Sequence, residues 1–127
     1  MKNILIGMFL MVGVVKSTIA YENLSANQFK RKLEKTRNAI LIDVRTPREY
    51  SEDGHIPKAN LIPLQLFGSI YLAGFKDKPV FVYCRSGHRS RQASEILEKM
   101  GIKEVYNLSG GIISWKSAGF PVEYGYK

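Results

Sequence analysis

The one cysteine of this chain, Cys84, has the sequence context of a nucleophile. It follows an apolar run at residues 79–83 and opens a loop of small and cationic residues. Apolar residues then recur at helical spacing through Ala93, Leu97 and Met100, which predicts a strand, a tight loop and a helix. A thiol at such a junction faces the positive end of the helix dipole, which lowers its pKa and favours the reactive thiolate. The alternative is a buried, inert cysteine, but the three arginines at positions 85, 89 and 91 are poor neighbours for a core position.

The loop after Cys84 supplies the other candidate site residues. Its backbone N–H groups can curve around an anion that the cysteine carries. The candidate substrate-binding residues are the six that follow the cysteine: Arg85, Ser86, Gly87, His88, Arg89 and Ser90. Asp43 and Arg45 follow another predicted strand, so we expect them at the same edge of a parallel sheet, where α/β proteins place their sites. We expect both to support the loop through ion pairs and hydrogen bonds rather than to take part in the chemistry.

Short strands alternate with helices along residues 21–127, which predicts one α/β domain, a sandwich around a mostly parallel central sheet flanked by helices. Helices are predicted to begin after Ser25 and Thr46, each of which is the first residue of a capping box. Residues 64–75 are ambiguous and are assigned to a helix, and a last helix carries Trp115. The predicted strands are short and apolar: residues 39–42, 59–62, 79–83 and 105–108.

Residues 1–20 are predicted to be an export signal rather than part of the domain. An apolar run from residue 4 to 15 follows a lysine, and the small residues Thr18 and Ala20 precede Tyr21, which is typical of a cleavage site. The run is shorter than the roughly 20 residues that cross a bilayer. We therefore expect an exported, periplasmic protein with no stable membrane insertion after processing. The alternative is an uncleaved anchor formed by residues 4–20.

Charge and cysteine content narrow the functional classes. The chain has a formal net charge of +8, and five cations cluster on the first predicted helix and its exit: Lys30, Arg31, Lys32, Lys35 and Arg37. They form a solvated face or attract anions or a membrane surface, but no aromatic residues alternate with them, so nucleic-acid binding is not predicted. One cysteine forms no disulfide within the chain. With two histidines far from each other it also makes no metal site, and no cofactor is expected.

Five motifs follow one another in a characteristic order along residues 24–121. They are Ile42-Asp43-Val44-Arg45 with Glu49 and Tyr50, Gly54-His55-Ile56-Pro57, the Cys84 loop, Gly110-Gly111 with Trp115, and Gly119 with Pro121. Each is weak alone, but their order and spacing resemble the single-domain rhodaneses, a family of sulfurtransferases. Lys58 departs from the family, in which a glycine is common at that position, and the chain has no second, inactive copy of the domain.

The resemblance implies a three-layer rhodanese-like sandwich and a two-step sulfur transfer. Cys84 would take a sulfane sulfur from a donor such as thiosulfate or polysulfide and hold it as a persulfide. A small thiol, cyanide or a partner protein would then accept the sulfur. In this scheme the N–H groups of residues 85–90 surround the outer sulfur and Gly87 relieves crowding in the loop. Arg85 and Arg89 bind the oxygens of an anionic donor, or Arg89 turns away and braces Asp43 or Glu49 instead.

Three other functions compete with this interpretation. Phosphatases and arsenate reductases with a similar loop need their arginine one position beyond Arg89, where this chain has Ser90, so we do not expect that activity. A persulfide carrier that delivers sulfur to a partner protein would need the same loop and stays open. Thiol redox sensing usually needs a resolving cysteine, which the chain lacks. His55 is expected to be structural, whereas His88 could contact substrate or solvent.

Overall fold

The computed structural model describes residues 21–67 and 73–126, whose strands form one five-stranded sheet. All neighbouring strands are parallel, in the order β1-β5-β4-β2-β3. The strands are β1 (Tyr21–Leu24), β2 (Ile40–Asp43), β3 (Asn60–Leu61), β4 (Val80–Tyr83) and β5 (Val105–Leu108). The helices are α1 (Ala26–Lys35), α2 (Pro47–Glu52), α3 (His88–Lys99) and α4 (Gly111–Ser117). Because helices pack on both faces of the sheet, the predicted fold class is confirmed.

Both faces of the sheet are buried, and strand β4 shows how its side chains divide between them. Phe81 and Tyr83 point into a core formed with α1, α2 and α4. Val80 and Val82 point into a second core, formed with α3 through residues such as Leu97. This alternation is the period of two that a strand imposes, and burial on both sides explains why the strand is uniformly apolar.

Side-chain caps fix the helices that precede the site. Ser25 Oγ accepts a hydrogen bond from the N–H of Gln28, and Thr46 Oγ1 accepts one from the N–H of Glu49. In each case the side chain of the later residue accepts a hydrogen bond from the N–H of the capping residue, so both predicted capping boxes are confirmed. The second capping box places the start of α2 directly after strand β2 and the polar residues Asp43 and Arg45 at its end.

Two predictions of secondary structure differ from the structure. The helix predicted over residues 64–75 is wrong where it can be compared: Leu64–Leu66 and Ala73–Phe75 are single 3₁₀ turns. The N–H of Leu64 bonds to the carbonyl of Val44, and Phe67 is buried, so tertiary contacts hold this segment against β2. Strand β1 has no counterpart among the predicted strands, because it is an edge strand whose exposure does not alternate along its length.

The predicted export signal, residues 1–20, lies outside the described residues. Within residues 21–67 and 73–126, no helix combines the length and the apolar character needed to cross a membrane.

Candidate active site

Cys84 lies immediately after β4, at the carboxyl edge of the sheet, with its side chain in a ring of hydrogen-bond donors. Cys84 is buried, with 1% of its surface exposed. The N–H of Gly87 lies 3.1 Å from Sγ, and the N–H and hydroxyl of Ser90 each lie 3.4 Å from it. Gly87 is the N-cap of α3, so these donors belong to the positive end of that helix. The arrangement favours a negatively charged sulfur.

The balance of burial and hydrogen bonding lowers the pKa of the Cys84 thiol. Burial alone would raise that pKa, because it removes water from the thiolate. Hydrogen bonds from the hydroxyl and N–H of Ser90, followed by those from the N–H groups of Gly87 and Ser86, outweigh burial. The thiolate, which is the nucleophilic form, is therefore more populated at neutral pH than in an ordinary cysteine.

The loop keeps its shape because it packs against the backbone that leads into α4. Gly87 has φ +105°, and a Cβ there would lie 2.2 Å from the carbonyl oxygen of Ser109. Gly111 has φ +66°, and a Cβ there would lie 2.1 Å from the carbonyl oxygen of Arg85. The N–H of Ile112 also donates to the carbonyl of Cys84 at 2.9 Å. Two glycines are required where the two segments touch, and Gly111 was not among the predicted site residues.

Arg89 lies in the second of its two predicted positions, where it braces Glu49. Its guanidinium forms a forked pair with the carboxylate of Glu49, with nitrogen–oxygen distances of 2.8 and 2.9 Å. The pairing with Arg89, followed by the hydrogen bonds from Thr46, lowers the pKa of Glu49 to about 2 despite its partial burial. Arg89 thus ties the first turn of α3 to the capping box of α2. Arg85, by contrast, is exposed.

Asp43 and Arg45 form a buried ion pair at the end of β2, the strand beside β4. Arg45 Nη2 lies 2.7 Å from Asp43 Oδ2, and Arg45 Nε lies 2.9 Å from Asp43 Oδ1. Arg45 Nη2 also donates to the carbonyl of Gly54 at 2.8 Å. Burial, together with the Asp43 carboxylate, strongly raises the pKa of neighbouring Tyr83, so its phenol stays neutral. The pair joins β2 to the Gly54 loop.

Arg85 borders an open cleft of about 400 Å³ on the α4 side of the loop. Lys116 and Arg45 also line it, as do the carboxylate residues Glu52 and Asp53. Ile113, on α4, contributes an exposed apolar side chain to its rim. The cleft thus combines cationic and anionic side chains with an apolar rim beside the loop that carries Cys84.

The two histidines occupy different surroundings. His55 is fully buried: its ring stacks on Tyr50 at 3.7 Å between centroids, and its Nδ1 lies 3.0 Å from the Tyr50 carbonyl. His88 is exposed and is the first residue of α3 rather than part of an extended loop. Among the described residues, no cluster of three or more histidine, cysteine, aspartate or glutamate side chains is placed to hold a metal ion.

Comparison with known sequence families assigns the chain to a family that agrees with this site, a nucleophile in a ring of N–H donors between a parallel strand and a helix. The sequence-family model described as the rhodanese-like domain matches residues 25–118 of this chain. The chain belongs to the rhodanese family. It is 38% identical over 99 residues to a sulfurtransferase from Allochromatium vinosum, covering 78% of this chain and 92% of the relative. Membership of a sulfurtransferase family, which the motifs predicted, is confirmed.

Other relatives extend this rhodanese assignment. The thiosulfate sulfurtransferase GlpE of Coxiella burnetii is 36% identical over 85 residues, which cover 67% of this chain and 78% of that protein. The crystal structure of a rhodanese-related protein from Thermoplasma volcanium superposes with a TM-score of 0.72 at 30% identity. That superposition covers 83% of this chain and all of the other. At family level the protein is a sulfurtransferase with the rhodanese fold.

Proposed function

We propose that the protein transfers a sulfane sulfur from thiosulfate or polysulfide to a thiophilic acceptor through a Cys84 persulfide. The observation that carries the proposal is the convergence of the Gly87 N–H and both donors of Ser90 on Sγ. These donors lower the pKa of the thiol and favour a negative charge on its sulfur.

The first step is a displacement at the outer sulfur of the donor. The Cys84 thiolate donates an electron pair to that sulfur, a new S–S bond forms, and the bond within thiosulfate breaks. Sulfite leaves with the electron pair of the broken bond, and the outer sulfur stays on Cys84 as an anionic persulfide. The N–H groups of Ser86, Gly87 and Ser90, which already point at the sulfur of Cys84, spread the negative charge of the persulfide.

The two loop arginines have different roles in this proposal. Arg85 is exposed beside the cleft that Lys116 also lines, so it attracts and orients the oxygens of thiosulfate. Arg89 is paired with Glu49, so it positions α3 and supplies only the positive field that acts on Cys84. Asp43 and Arg45 neutralise each other and join β2 to the Gly54 loop, so their role in this proposal is structural.

Steady-state transfer from thiosulfate to cyanide tests this function. Cys84→Ser is expected to reduce transfer below about one per cent of wild type, because it removes the only thiolate. Arg85→Gln is expected to lower kcat/KM with thiosulfate about tenfold but to change transfer from inorganic polysulfide much less, because polysulfide lacks sulfonate oxygens. Lys35→Gln, on α1, is the charge-matched control. Full activity of Cys84→Ser would refute the persulfide route.

We also propose that residues 1–20 direct export and that the mature domain begins at Tyr21. Thr18 and Ala20 provide the small residues that a signal peptidase requires. Intact-mass measurement of the protein recovered from the periplasm of an expressing cell tests this proposal. A mature N-terminus at Tyr21 is expected, whereas membrane-bound protein that retains residues 1–20 would establish the anchor instead.

A further inference from the structure

An open groove of about 610 Å³ lies at the amino edge of the sheet, whereas Cys84 lies at the carboxyl edge. Ala39, which precedes β2, and Asn60, the first residue of β3, both line the groove. Leu33, on α1, and Trp115, on α4, belong to its apolar wall. A ligand bound here lies away from the Cys84 loop, so the groove is independent of the proposed sulfur transfer.

Part of the apolar wall of this groove is accessible to a ligand. Leu33, Ala39 and Pro57 are half-buried and Pro121 is exposed, and all four line the groove. The volume falls within the range of about 300–1,000 Å³ that is typical of ligand pockets. The groove therefore has both the space and the surface to receive an apolar side chain of a bound molecule.

The rim of the groove is cationic. Lys30 and Lys58 line it, and Lys30 Nζ pairs with Glu34 Oε2 at 2.6 Å. Three more exposed cations lie on the same part of α1 and at its exit: Arg31, Lys35 and Arg37. Within residues 21–67 and 73–126, neither these three nor Lys58 forms an ion pair. The positive charge around the groove is thus not neutralised by the described chain, and it is complementary to a ligand with several carboxylates.

Lys58 has a backbone conformation that disfavours lysine. Its φ is +73°, and the one other described non-glycine residue with a positive φ, Asn38 at +58°, lines the same groove. Asparagine tolerates this conformation, whereas a lysine there is destabilised relative to glycine. Residues held in such conformations cluster at ligand-binding sites. An exposed, unpaired lysine at a strained position of the rim points to an anionic ligand.

We propose that this groove docks an acidic segment of a partner protein. An apolar side chain of the segment packs against Leu33 and Pro57, and its carboxylates pair with Lys58 and with the cations of α1. These cations lie on two sides of the groove, which favours several carboxylates on one chain over a single small anion. A concave groove does not match a flat bilayer, which favours a protein segment over a membrane. Such docking holds the partner beside the enzyme and leaves the Cys84 loop free.

Trp115 gives a direct readout of occupancy, because it is the only tryptophan of the chain and lines the groove. Its indole N–H donates to the Pro121 carbonyl at 2.8 Å and gives one NMR signal. The probe is the acetylated peptide EDELEDE, titrated into the protein at physiological ionic strength. EDELEDE is expected to shift this signal until it saturates. EDESEDE, in which serine replaces leucine, is expected to bind about tenfold more weakly, because the apolar contact is lost. The neutral peptide QNQLQNQ is not expected to bind.

Two substitutions test the charge of the rim without altering the core. Lys58→Gly removes the ammonium and relieves the positive φ, so the Kd for EDELEDE should rise about three- to tenfold while the urea midpoint of unfolding stays the same or rises. Asn38→Asp adds a carboxylate at an exposed residue whose conformation aspartate also tolerates, and should raise the Kd by a similar factor. Lys103→Gln is the charge-matched control: its lysine is exposed between α3 and β5, and the Kd should not change.

Each result either supports or overturns the docking site. A Trp115 signal that does not move at millimolar EDELEDE would overturn it, as would equal Kd values for wild type and Lys58→Gly or equal Kd values for EDELEDE and EDESEDE. Phosphatidylglycerol vesicles that bind when EDELEDE does not would assign the surface to a membrane instead. Decanoate that shifts the Trp115 signal when EDELEDE does not would assign the groove to a small amphipathic anion. Cys84→Ser should bind EDELEDE as wild type does, so a failure of the proposed sulfur transfer leaves this test intact.

Discussion

The ion pair between Glu49 and Arg89 is expected to stabilise the folded domain, and Glu49→Gln isolates its contribution. Glutamine keeps the amide oxygen that a capping box can use, so the N–H of Thr46 retains an acceptor. What the substitution removes is the negative charge that faces Arg89 at 2.8 and 2.9 Å.

The pKa of Glu49 sets the magnitude and the pH range. Pairing with Arg89, together with the hydrogen bonds from Thr46, lowers that pKa from 4.5 to about 2, which corresponds to about 3 kcal/mol of differential stability for all of these contacts. The Arg89 and Glu49 side chains are 36% and 19% exposed, so solvent screening reduces the expected free energy to about 1–2 kcal/mol. A carboxyl group whose pKa is lowered in the folded state stabilises the fold at pH values above its unfolded-state pKa. That stabilisation is lost as the pH falls. The contribution is therefore complete at pH 7 and below about half by pH 3.

Urea unfolding of wild type and Glu49→Gln from pH 7 down to pH 3 measures this effect. The variant is expected to be less stable by about 1–2 kcal/mol at pH 7, with the difference shrinking as the pH falls. Glu52→Gln is the matched control, since its pair with Arg48 is largely exposed and is worth less than about 0.5 kcal/mol. A difference between wild type and Glu49→Gln that stays constant with pH, or that is absent at pH 7, would refute this reasoning.

Three further substitutions test the loop and its support. Ser90→Ala removes one donor to Sγ, so the pKa of Cys84 should rise and alkylation by iodoacetamide at neutral pH should slow about three- to tenfold; an unchanged pH–rate profile would contradict this. Gly87→Ala brings a Cβ to 2.2 Å from the Ser109 carbonyl oxygen at a positive φ, so unfolding free energy should fall by about 3 kcal/mol or more, and wild-type stability would exclude the tight contact. Arg45→Met leaves a buried carboxylate unpaired and should cost about 3–5 kcal/mol in urea unfolding, whereas a loss below about 1 kcal/mol would show that the ion pair contributes little.

Local patterns were sufficient to predict the fold and the junction that carries the cysteine. Each of the signals that were used spans about a dozen residues or fewer. They are the apolar runs, the two capping boxes and the change from strand to helical periodicity around Cys84. The parallel sheet followed from the alternation of these elements. Strand β1 was missed because its four residues acquire a strand conformation only through pairing with β5.

Those local patterns do not predict contacts between residues that are far apart in the sequence. Glu49 and Arg89 are 40 positions apart, and the sequence does not decide between Glu49, Asp43 and an anionic donor as the partner of Arg89. Gly111 belongs to the Gly110-Gly111 motif, but only the structure shows that its lack of a side chain lets the Arg85 carbonyl approach. Asn107 sits within an apolar strand pattern, and only the structure shows that its acceptor lacks a partner within the described part of the chain.

The persulfide on Cys84 is the central claim, and mass spectrometry of the intact protein tests it most directly. The reduced domain, treated with thiosulfate and separated from it without reductant, should gain about 32 Da, located on the peptide that contains Cys84. Cyanide or cysteine should remove the added mass, and Cys84→Ser should never acquire it. An unmodified Cys84 after treatment with both thiosulfate and polysulfide, in a protein whose thiol still reacts with iodoacetamide, would contradict the account.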